Sequence, residues 1–462
     1  MGRNLWSRGR VRSLACPRAD DPGAEPVNGD AFRVRHIDLE TTDIDGDAGD
    51  TASLSIFWWK DLPLGMRASL PDELPYSRAH LRQFAAEFSA AQLAARSTSL
   101  GAPLRATYWG WPKSALSLAA ALDARDLIDS LDQLATASSA SAQDISVVIC
   151  TRDRGPALAR CLSSIAKQRS APGEVVVVDN SRDGNARSVC MQFPEVRYIH
   201  ETRPGLSVAR TAGVRASRHG IIAFTDDDVE VHAGWTAEIA RVFAERDVEA
   251  LTGLVLPARL DTLAQRRFQF DMGGFGTTFV PLVFDQRFFE ETRPNGAHVW
   301  KIGAGANMAF RRSAFDRVGL FDERLGAGAA GCSEDSELWY RLLATGGACL
   351  YEPRAVVFHH HRSDWPGLRR QMRAYMKGHV AALVVQYDNF GDRGNIIRIW
   401  IKLPAYFLRT FLRTLFDGPP GRIGILAAEV EGWLAGLQFL LRFGWRKRRA
   451  LPRQNLVEER AR

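Results

Sequence analysis

Glu174-Val175-Val176-Val177-Val178, followed directly by Asp179-Asn180-Ser181, is the stretch that decides the fold. An unbroken apolar run of this kind is typical of a parallel strand buried on both faces of a sheet. A helical stretch over 157–168 precedes it. Similar short apolar runs occupy 145–149, 196–199 and 221–224. Because strands that alternate with helices indicate βαβ units, we predict an α/β fold with a doubly wound, mostly parallel sheet.

Polar side chains follow three of these runs. They are Cys150-Thr151-Arg152-Asp153-Arg154, Asp179-Asn180-Ser181 and Thr225-Asp226-Asp227-Asp228. Ligands of doubly wound sheets bind beyond the carboxyl ends of the strands, so these side chains are expected to share one site. Three consecutive carboxylates repel one another unless a cation neutralises them, and their hard oxygen atoms suit Mg²⁺ or Mn²⁺. Taken alone, the acidic triplet fits a metal site and a solvated acidic turn equally well.

Three later segments add polar candidates. Arg210 lies in a predicted helix just before the 221–224 run, where it can reach a phosphate, support the acidic triplet or serve as an ordinary surface arginine. Asn307 follows the Gly-rich stretch 303–306 and is a candidate for lining a sugar site or for a turn role. Glu334 and Asp335 come at a predicted helix start, where acidic residues also suit capping and the helix dipole.

A last strand-like run, 353–358, ends in His359-His360-His361-Arg362. An imidazole at the end of this strand, from His359 or His361, is a candidate for completing the ligands of the metal.

In this order the motifs resemble those of the family 2 glycosyltransferases of the GT-A fold, over about 145–362, roughly half the chain. The resemblance implies an inverting transferase that uses a nucleotide-diphosphate sugar and Mg²⁺ or Mn²⁺. It implies binding of the base and ribose by Thr151, Arg152 and Asp179. It also implies that Asp335 of the Glu334-Asp335 pair is the catalytic base.

The acidic triplet resembles the DxD motif of that family, which holds the metal and contacts the ribose and the diphosphate. Asp226 and Asp228 fit a plain DxD, whereas residues 225–227 fit a variant of the motif. Asp226, Asp227 and Asp228 are therefore all candidate metal ligands. His359 and His361 resemble the late histidine that often approaches the metal. Arg210, Asp226 and Asn307 are the remaining residues expected to bind the nucleotide-sugar donor.

The composition suggests several units along the chain. We expect a disordered segment 1–30, a small accessory domain 31–134 of unknown role, a linker 135–144, a GT-A-like catalytic domain 145–365, a helical segment 366–450 and a tail 451–462. No run of 18 or more residues is both uncharged and strongly apolar, and no apolar region follows the basic N-terminus. We therefore expect neither a transmembrane helix nor a signal peptide.

The helical segment carries a basic stripe. Arg398, Lys402, Arg409 and Arg413 are spaced 4, 7 and 4 residues apart, so they share a helical face beside aromatic and aliphatic residues. Pro404 is expected to kink or divide this helix. The pattern predicts a peripheral helix at the cytoplasmic face of the inner membrane, supported by the cluster 446–449; the alternative is a helix packed on the catalytic core.

The net charge of +7 fits an anionic partner, such as a nucleotide, a lipid or a nucleic acid. No recognised nucleic-acid motif occurs, and the aromatics of the basic helix lie on its apolar side, so we predict no nucleic-acid partner. The expected acceptor is a saccharide or a lipid-linked molecule. A module that binds a nucleotide sugar without catalysis is the alternative function.

Overall fold

The computed structural model describes residues 32–41, 51–69, 104–105, 124–135, 140–276, 278–417 and 421–443, with isolated positions between 74 and 87. The predicted segment 1–30, part of the predicted linker, the basic cluster 446–449 and the tail 451–462 lie outside the described residues.

The strands and helices alternate from residue 145 onward, as predicted. The strands are β1 (Arg33–Asp38), β2 (Ser53–Trp59), β3 (Leu62–Ser69), β4 (Leu104–Arg105), β5 (Ile145–Thr151), β6 (Glu174–Asp179), β7 (Val196–His200), β8 (Ile221–Asp226), β9 (Val229–Val231), β10 (Ala250–Pro257), β11 (Leu282–Phe284), β12 (Asn307–Arg311) and β13 (Cys349–His359). The α-helices are α1 (Ala124–Ala135), α2 (Gly155–Ile165), α3 (Arg187–Cys190), α4 (Leu206–Ala216), α5 (Trp235–Glu245), α6 (Leu263–Arg266), α7 (Gln286–Thr292), α8 (Arg312–Val318), α9 (Glu334–Ala344), α10 (Trp365–Phe390), α11 (Arg393–Ile397), α12 (Leu403–Asp417) and α13 (Arg422–Phe443).

The described residues form one large sheet of ten strands in the order β4-β11-β13-β10-β12-β8-β5-β6-β7, with β9 paired to β13. The four strands predicted from the sequence, β5 to β8, are parallel to one another, and β10 is also parallel to β13. Between these two groups β12 runs antiparallel to both β8 and β10, so the mostly parallel sheet contains an antiparallel strand that was not predicted. A hydrophobic pattern shows that a strand is buried but carries no information on its direction, which is why the sequence did not show this.

The sheet is covered on both faces, as a doubly wound fold requires. Side chains alternate along β5: Val147 packs with Leu158 of α2 and Trp235 of α5, whereas Val148 packs with Val214 of α4 on the other face. This two-sided burial is the reason that the strands read as unbroken apolar runs.

The N-terminal segment forms a separate three-stranded sheet, β1-β2-β3. It packs on the large sheet where Trp58 meets Leu254 and Val356, and an ion pair joins Asp61 to Arg169. The segment predicted as an accessory domain also supplies β4, which pairs with β11 at the edge of the large sheet.

The C-terminal helices form a layer of their own. A π-helical turn, Arg398–Lys402, precedes α12, so the long helix is divided at the site predicted from Pro404. Arg398 turns inward, with its guanidinium 3.8 Å from the centre of the Trp300 ring. Because the π-turn changes the helical register, Arg398 does not share the predicted basic face. None of the described helices is both long and apolar enough to cross a membrane.

The contact of α4 with β5 gives a test of the fold. A Cβ at Gly213 would lie 2.4 Å from Val148 Cγ1. An alanine in a helix is normally more stable than glycine by about 1 kcal/mol. Here overpacking, at about 1–3 kcal/mol, outweighs that gain, so we expect Gly213→Ala to lower the urea midpoint of unfolding.

Gly424 in α13 is the matched control, because a Cβ there would meet nothing within 4 Å. Gly424→Ala is expected to leave the midpoint unchanged or raise it. Equal midpoints for the two variants would show that α4 does not pack on β5 as described.

Candidate active site

The polar strand ends meet at one edge of the sheet. Thr151, the last residue of β5, pairs with Asp179 at the end of β6, and Cys150 pairs with Asp226 at the end of β8. The sequence placed these residues together correctly, because parallel neighbouring strands end at the same edge.

Arg210 is the centre of the site. It comes from α4 and is only 2% exposed. Its Nη1 donates to Glu334 Oε1 at 2.5 Å, and its Nη2 donates to Asp226 Oδ1 at 3.1 Å and to the Gly305 carbonyl at 3.2 Å. These neighbouring carboxylates raise the pKa of Arg210 against the effect of its burial. Three roles were predicted for Arg210. In the structure it bonds to Asp226 of the acidic triplet, which agrees with the second of them.

Glu334 and Asp335 differ in burial and in their hydrogen-bond partners. Glu334 is 4% exposed, and burial raises its pKa although Arg210 opposes the shift. Asp335 is half-buried and accepts hydrogen bonds at Oδ2 from the Gly305 amide at 2.8 Å and at Oδ1 from the Ser336 amide at 2.6 Å. Asp335 is the more exposed member of the pair, whereas Glu334 neutralises Arg210. Ser333 precedes α9, but its hydroxyl makes no capping hydrogen bond.

The other two aspartates share Arg154. Its Nη1 lies 3.0 Å from Asp227 Oδ1 and 2.9 Å from Asp228 Oδ2. Asp227 also accepts a hydrogen bond from the Thr151 hydroxyl at 2.7 Å. Burial and the nearby Asp228 raise the pKa of Asp227 to about 6. Because both of its oxygens are engaged by protein groups, Asp227 is not placed as a free metal ligand, contrary to the expectation.

The two expected histidine ligands form a chain behind the triplet. Gln269 Oε1 lies 3.2 Å from His361 Nε2, and His361 Nδ1 lies 2.9 Å from His359 Nδ1. An amide oxygen only accepts, so with this orientation of Gln269 the proton of His361 is on Nε2, and its Nδ1 accepts from His359. Burial lowers the pKa of His359 to about 4, so the ring is neutral and its Nε2 carries no proton.

This tautomer places the bare His359 Nε2 3.5 Å from Asp228 Oδ1. This separation would let both acceptors reach one cation at about 2.1 Å. His361 has both nitrogens occupied by protein partners and sits behind His359, so its expected role as a ligand is wrong. Among the described residues no three histidine, cysteine or acidic side chains converge as a metal site. A cation at this position would need further ligands from outside the chain, as in Mg²⁺ sites completed by phosphate and water.

The expected nucleotide-binding residues differ in access. Arg152 is about half exposed, with Asp153 as a distant ion-pair partner at 3.8 Å. Thr151 is buried and engaged by Asp227. Asp179 is fully buried and accepts hydrogen bonds from the Ser181 and Ala186 amides and the Tyr198 hydroxyl. Burial would raise the pKa of Asp179, but these hydrogen bonds outweigh it and lower the pKa.

Asn307 does not line a sugar site, contrary to the expectation. It is fully buried at the start of β12. Its amide nitrogen donates to the carbonyls of Leu254 and Ala355, at 3.1 and 2.8 Å, and its oxygen accepts from Trp235 Nε1 at 2.9 Å. With its polar atoms used by the protein, Asn307 joins strands and has nothing to offer a donor sugar.

Three contributors to the site were missed. Arg154 lies two residues after Arg152, just beyond β5. The need for a cation to balance the charge of the acidic triplet is the signal that points to it. Gly305 belongs to a Gly-rich stretch, and the sequence does not show that its backbone contacts Arg210 and Asp335. Gln269 lies in a π-helical turn, Arg267–Asp271, and no sequence signal connects it to the histidines.

Comparison with known proteins finds a family model that matches part of this region. The sequence model of Glycosyl transferase family 2 matches residues 146–319. The pre-mycofactocin glycosyltransferase of Mycobacterium tuberculosis is 28% identical over 261 residues, 54% of this chain and 50% of that protein. The chain thus spans about half the length of this curated relative.

Two further similarities cover more of the other protein. The glucosyl-dolichyl phosphate glucuronosyltransferase of Haloferax volcanii is 24% identical over 331 residues, 68% of this chain and 98% of that protein. The solved structure of a mannosyltransferase from Pyrobaculum calidifontis, in complex with GDP-Man and Mn²⁺, aligns with a TM-score of 0.42 and 17% identity, over 64% of this chain and 87% of that one.

The Arg210–Glu334 pair can be tested through stability. Removing one partner of a buried ion pair leaves a charge unpaired and costs about 3–5 kcal/mol. We therefore expect Arg210→Met to lower the free energy of unfolding by that amount in urea titrations. The double variant Arg210→Met/Glu334→Leu should recover most of the loss, because it buries no unpaired charge at this pair. If the double variant is less stable than the single one, the two side chains do not form the pair described.

Proposed function

We propose that the chain is an inverting, metal-dependent transferase, because residues 146–319 match the model of Glycosyl transferase family 2. It moves a sugar from a nucleotide-diphosphate sugar to an acceptor hydroxyl. Relatives of this family carry the names of enzymes that build glycolipids and exopolysaccharides, among them a succinoglycan biosynthesis protein of Rhizobium meliloti. We propose a saccharide or lipid-linked acceptor on the same ground.

One observation carries the proposal. Arg210 joins Asp226, on the side of the acidic triplet, to Glu334 and the Gly305 carbonyl, and the Gly305 amide holds Asp335. A half-buried carboxylate is thereby fixed next to a cluster that suits a metal and a diphosphate. A base and a charge-stabilising centre, held in fixed relation, are what a single displacement at an anomeric carbon requires.

Asp335 supplies the base. In the proposed step the acceptor oxygen forms a bond to the anomeric carbon while its proton passes to the Asp335 carboxylate. The bond from that carbon to the diphosphate oxygen breaks, and the nucleoside diphosphate leaves with the electron pair. One displacement from the face opposite the leaving group inverts the configuration.

Asp228 and His359 would hold the divalent cation, Mg²⁺ or Mn²⁺, with Asp226 on the more open side of the triplet. The side chain of Asp226 is 33% exposed, against 12% for Asp228. When bound, the metal offsets the negative charge that develops on the departing diphosphate. Arg154 and Arg210 hold the aspartates in place and reduce their mutual repulsion.

Asp335→Asn tests the base. A general base contributes about 10²–10⁴-fold to the rate, so the release of nucleoside diphosphate should fall by that factor. The fall should leave the affinity for the nucleotide unchanged, because Asp335 acts on the acceptor. The nucleotide is chosen by a thermal-shift screen of UDP, GDP, dTDP and CMP, with and without Mn²⁺.

Asp316→Asn is the matched control, because this carboxylate is exposed on α8. It should turn over at the rate of the original chain. Unchanged turnover in Asp335→Asn would exclude Asp335 as the base. Metal-dependent binding of one nucleotide without any release would favour the alternative, a binding module that does not catalyse transfer.

The metal assignment is tested with neighbouring histidines. His359→Ala removes the nitrogen that faces Asp228, and we expect it to weaken the binding of Mn²⁺ alone, measured by calorimetry, by at least about tenfold. His360→Ala is the control, because His360 turns towards Glu230, with 2.7 Å between His360 Nε2 and Glu230 Oε1. Equal Mn²⁺ affinity in the two variants would rule out His359 as a ligand.

A further inference from the structure

The exposed apolar surface is concentrated in one region. Of the large apolar side chains that are exposed among the described residues, all but Met191 and Leu263 lie between Ile397 and Leu434. Leu408 is 60% exposed and Phe416 82%. Scattered exposed apolar residues are ordinary on a protein surface, whereas a contiguous group indicates a contact with something else.

The exposed residues form one face of a helix. Leu403 and Phe407 of α12 are buried against the rest of the protein. At ~100° per residue, Leu408, Leu412 and Leu415 centre ~130° away from them around the same helix. We call the exposed set the apolar face of α12. Its members are Leu408, Phe411, Leu412, Leu415 and Phe416. The helix is thus apolar on the side that points away from its own core.

A row of cations borders this face. Arg409 and Arg413 are exposed and lie at ~90–130° from its centre, and Lys402 is exposed at the end of the π-helical turn just before α12. Within the described part of the chain no ion pair is formed by these three residues. From Arg398 to Phe416 the sequence contains no acidic residue. Unpaired cations beside exposed leucines are the arrangement of a helix that lies at a lipid–water interface.

We propose that the apolar face of α12 docks on an anionic phospholipid surface. Its leucines and phenylalanines enter the boundary between headgroups and acyl chains, while Lys402, Arg409 and Arg413 contact lipid phosphates. A second copy of the chain is a poorer occupant. It would bring the same cations and, between Arg398 and Phe416, no opposing carboxylate.

The test measures partition of the full chain onto vesicles by cosedimentation. The vesicles contain phosphatidylcholine alone or phosphatidylcholine mixed with phosphatidylglycerol. Leu408→Ser/Leu412→Ser is expected to lower partition onto the mixed vesicles by about tenfold or more. Arg409→Gln/Arg413→Gln is expected to lower it about fivefold for each charge removed, and only on the anionic vesicles.

Met191→Ser is the matched control, because Met191 is 79% exposed outside this region. It should bind like the original chain. The substituted side chains are on the surface, so circular dichroism should show unchanged unfolding midpoints for all variants. The assay needs no donor, metal or acceptor, so its result is separate from that of the transferase tests.

Three results would overturn the proposal. One is equal partition onto neutral and anionic vesicles. Another is vesicle binding by Leu408→Ser/Leu412→Ser that matches the original chain, which would attribute binding to a different surface. The third is a dimer, seen by light scattering, that this variant abolishes while vesicle binding persists, because the occupant of the face would then be a second copy.

Discussion

A single buried cation holds the site together. Arg210 is nearly inaccessible to water, and a guanidinium in that position is tolerated only when it is fully paired. Its partners come from β8, from α9 and from the connection before β12. Glu334 lies 124 positions away along the chain, so the ion pair fixes elements that have no local reason to meet. Without this charge, Asp226 and Glu334 would repel each other at the same edge of the sheet.

The close approach around Arg210 also dictates a glycine. A Cβ at Gly305 would lie 2.9 Å from Arg210 Nη2 and 3.0 Å from Asp335 Oδ2. Any side chain there would push the loop away and remove the amide that holds Asp335. The antiparallel strand β12 is what brings Gly305 to this place, since it begins at Asn307 beside β8. The feature of the sheet that departs from a parallel pattern therefore positions the proposed base.

Local sequence determined the parallel strands and their polar ends, and these were predicted. Four apolar runs gave β5 to β8, and the carboxyl-end rule brought Thr151, Asp179 and Asp226 together. Contacts between distant segments could not be read in this way. Asn307 and Glu334 are both polar residues that follow glycine-rich stretches. Only the fold shows that Asn307 bonds between strands and that Glu334 pairs with Arg210. The positions of the protons on His361 and His359 depend on Gln269, which is 92 positions from His361 along the chain.

The proposed membrane face and the proposed base belong to one packed body. Trp433 of α13 donates from Nε1 to the Ile399 carbonyl, next to α12, at 3.1 Å. In turn, α13 meets α10 so closely that a Cβ at Gly436 would lie 2.6 Å from Val380 Cβ. A Cβ at Gly378 of α10 would lie 2.5 Å from the Cys332 amide nitrogen, three residues before Asp335. Close-packed interiors have low compressibility and transmit displacements. Docking of α12 on a surface would therefore restrain the helices that pack behind Asp335 and, through them, the proposed base.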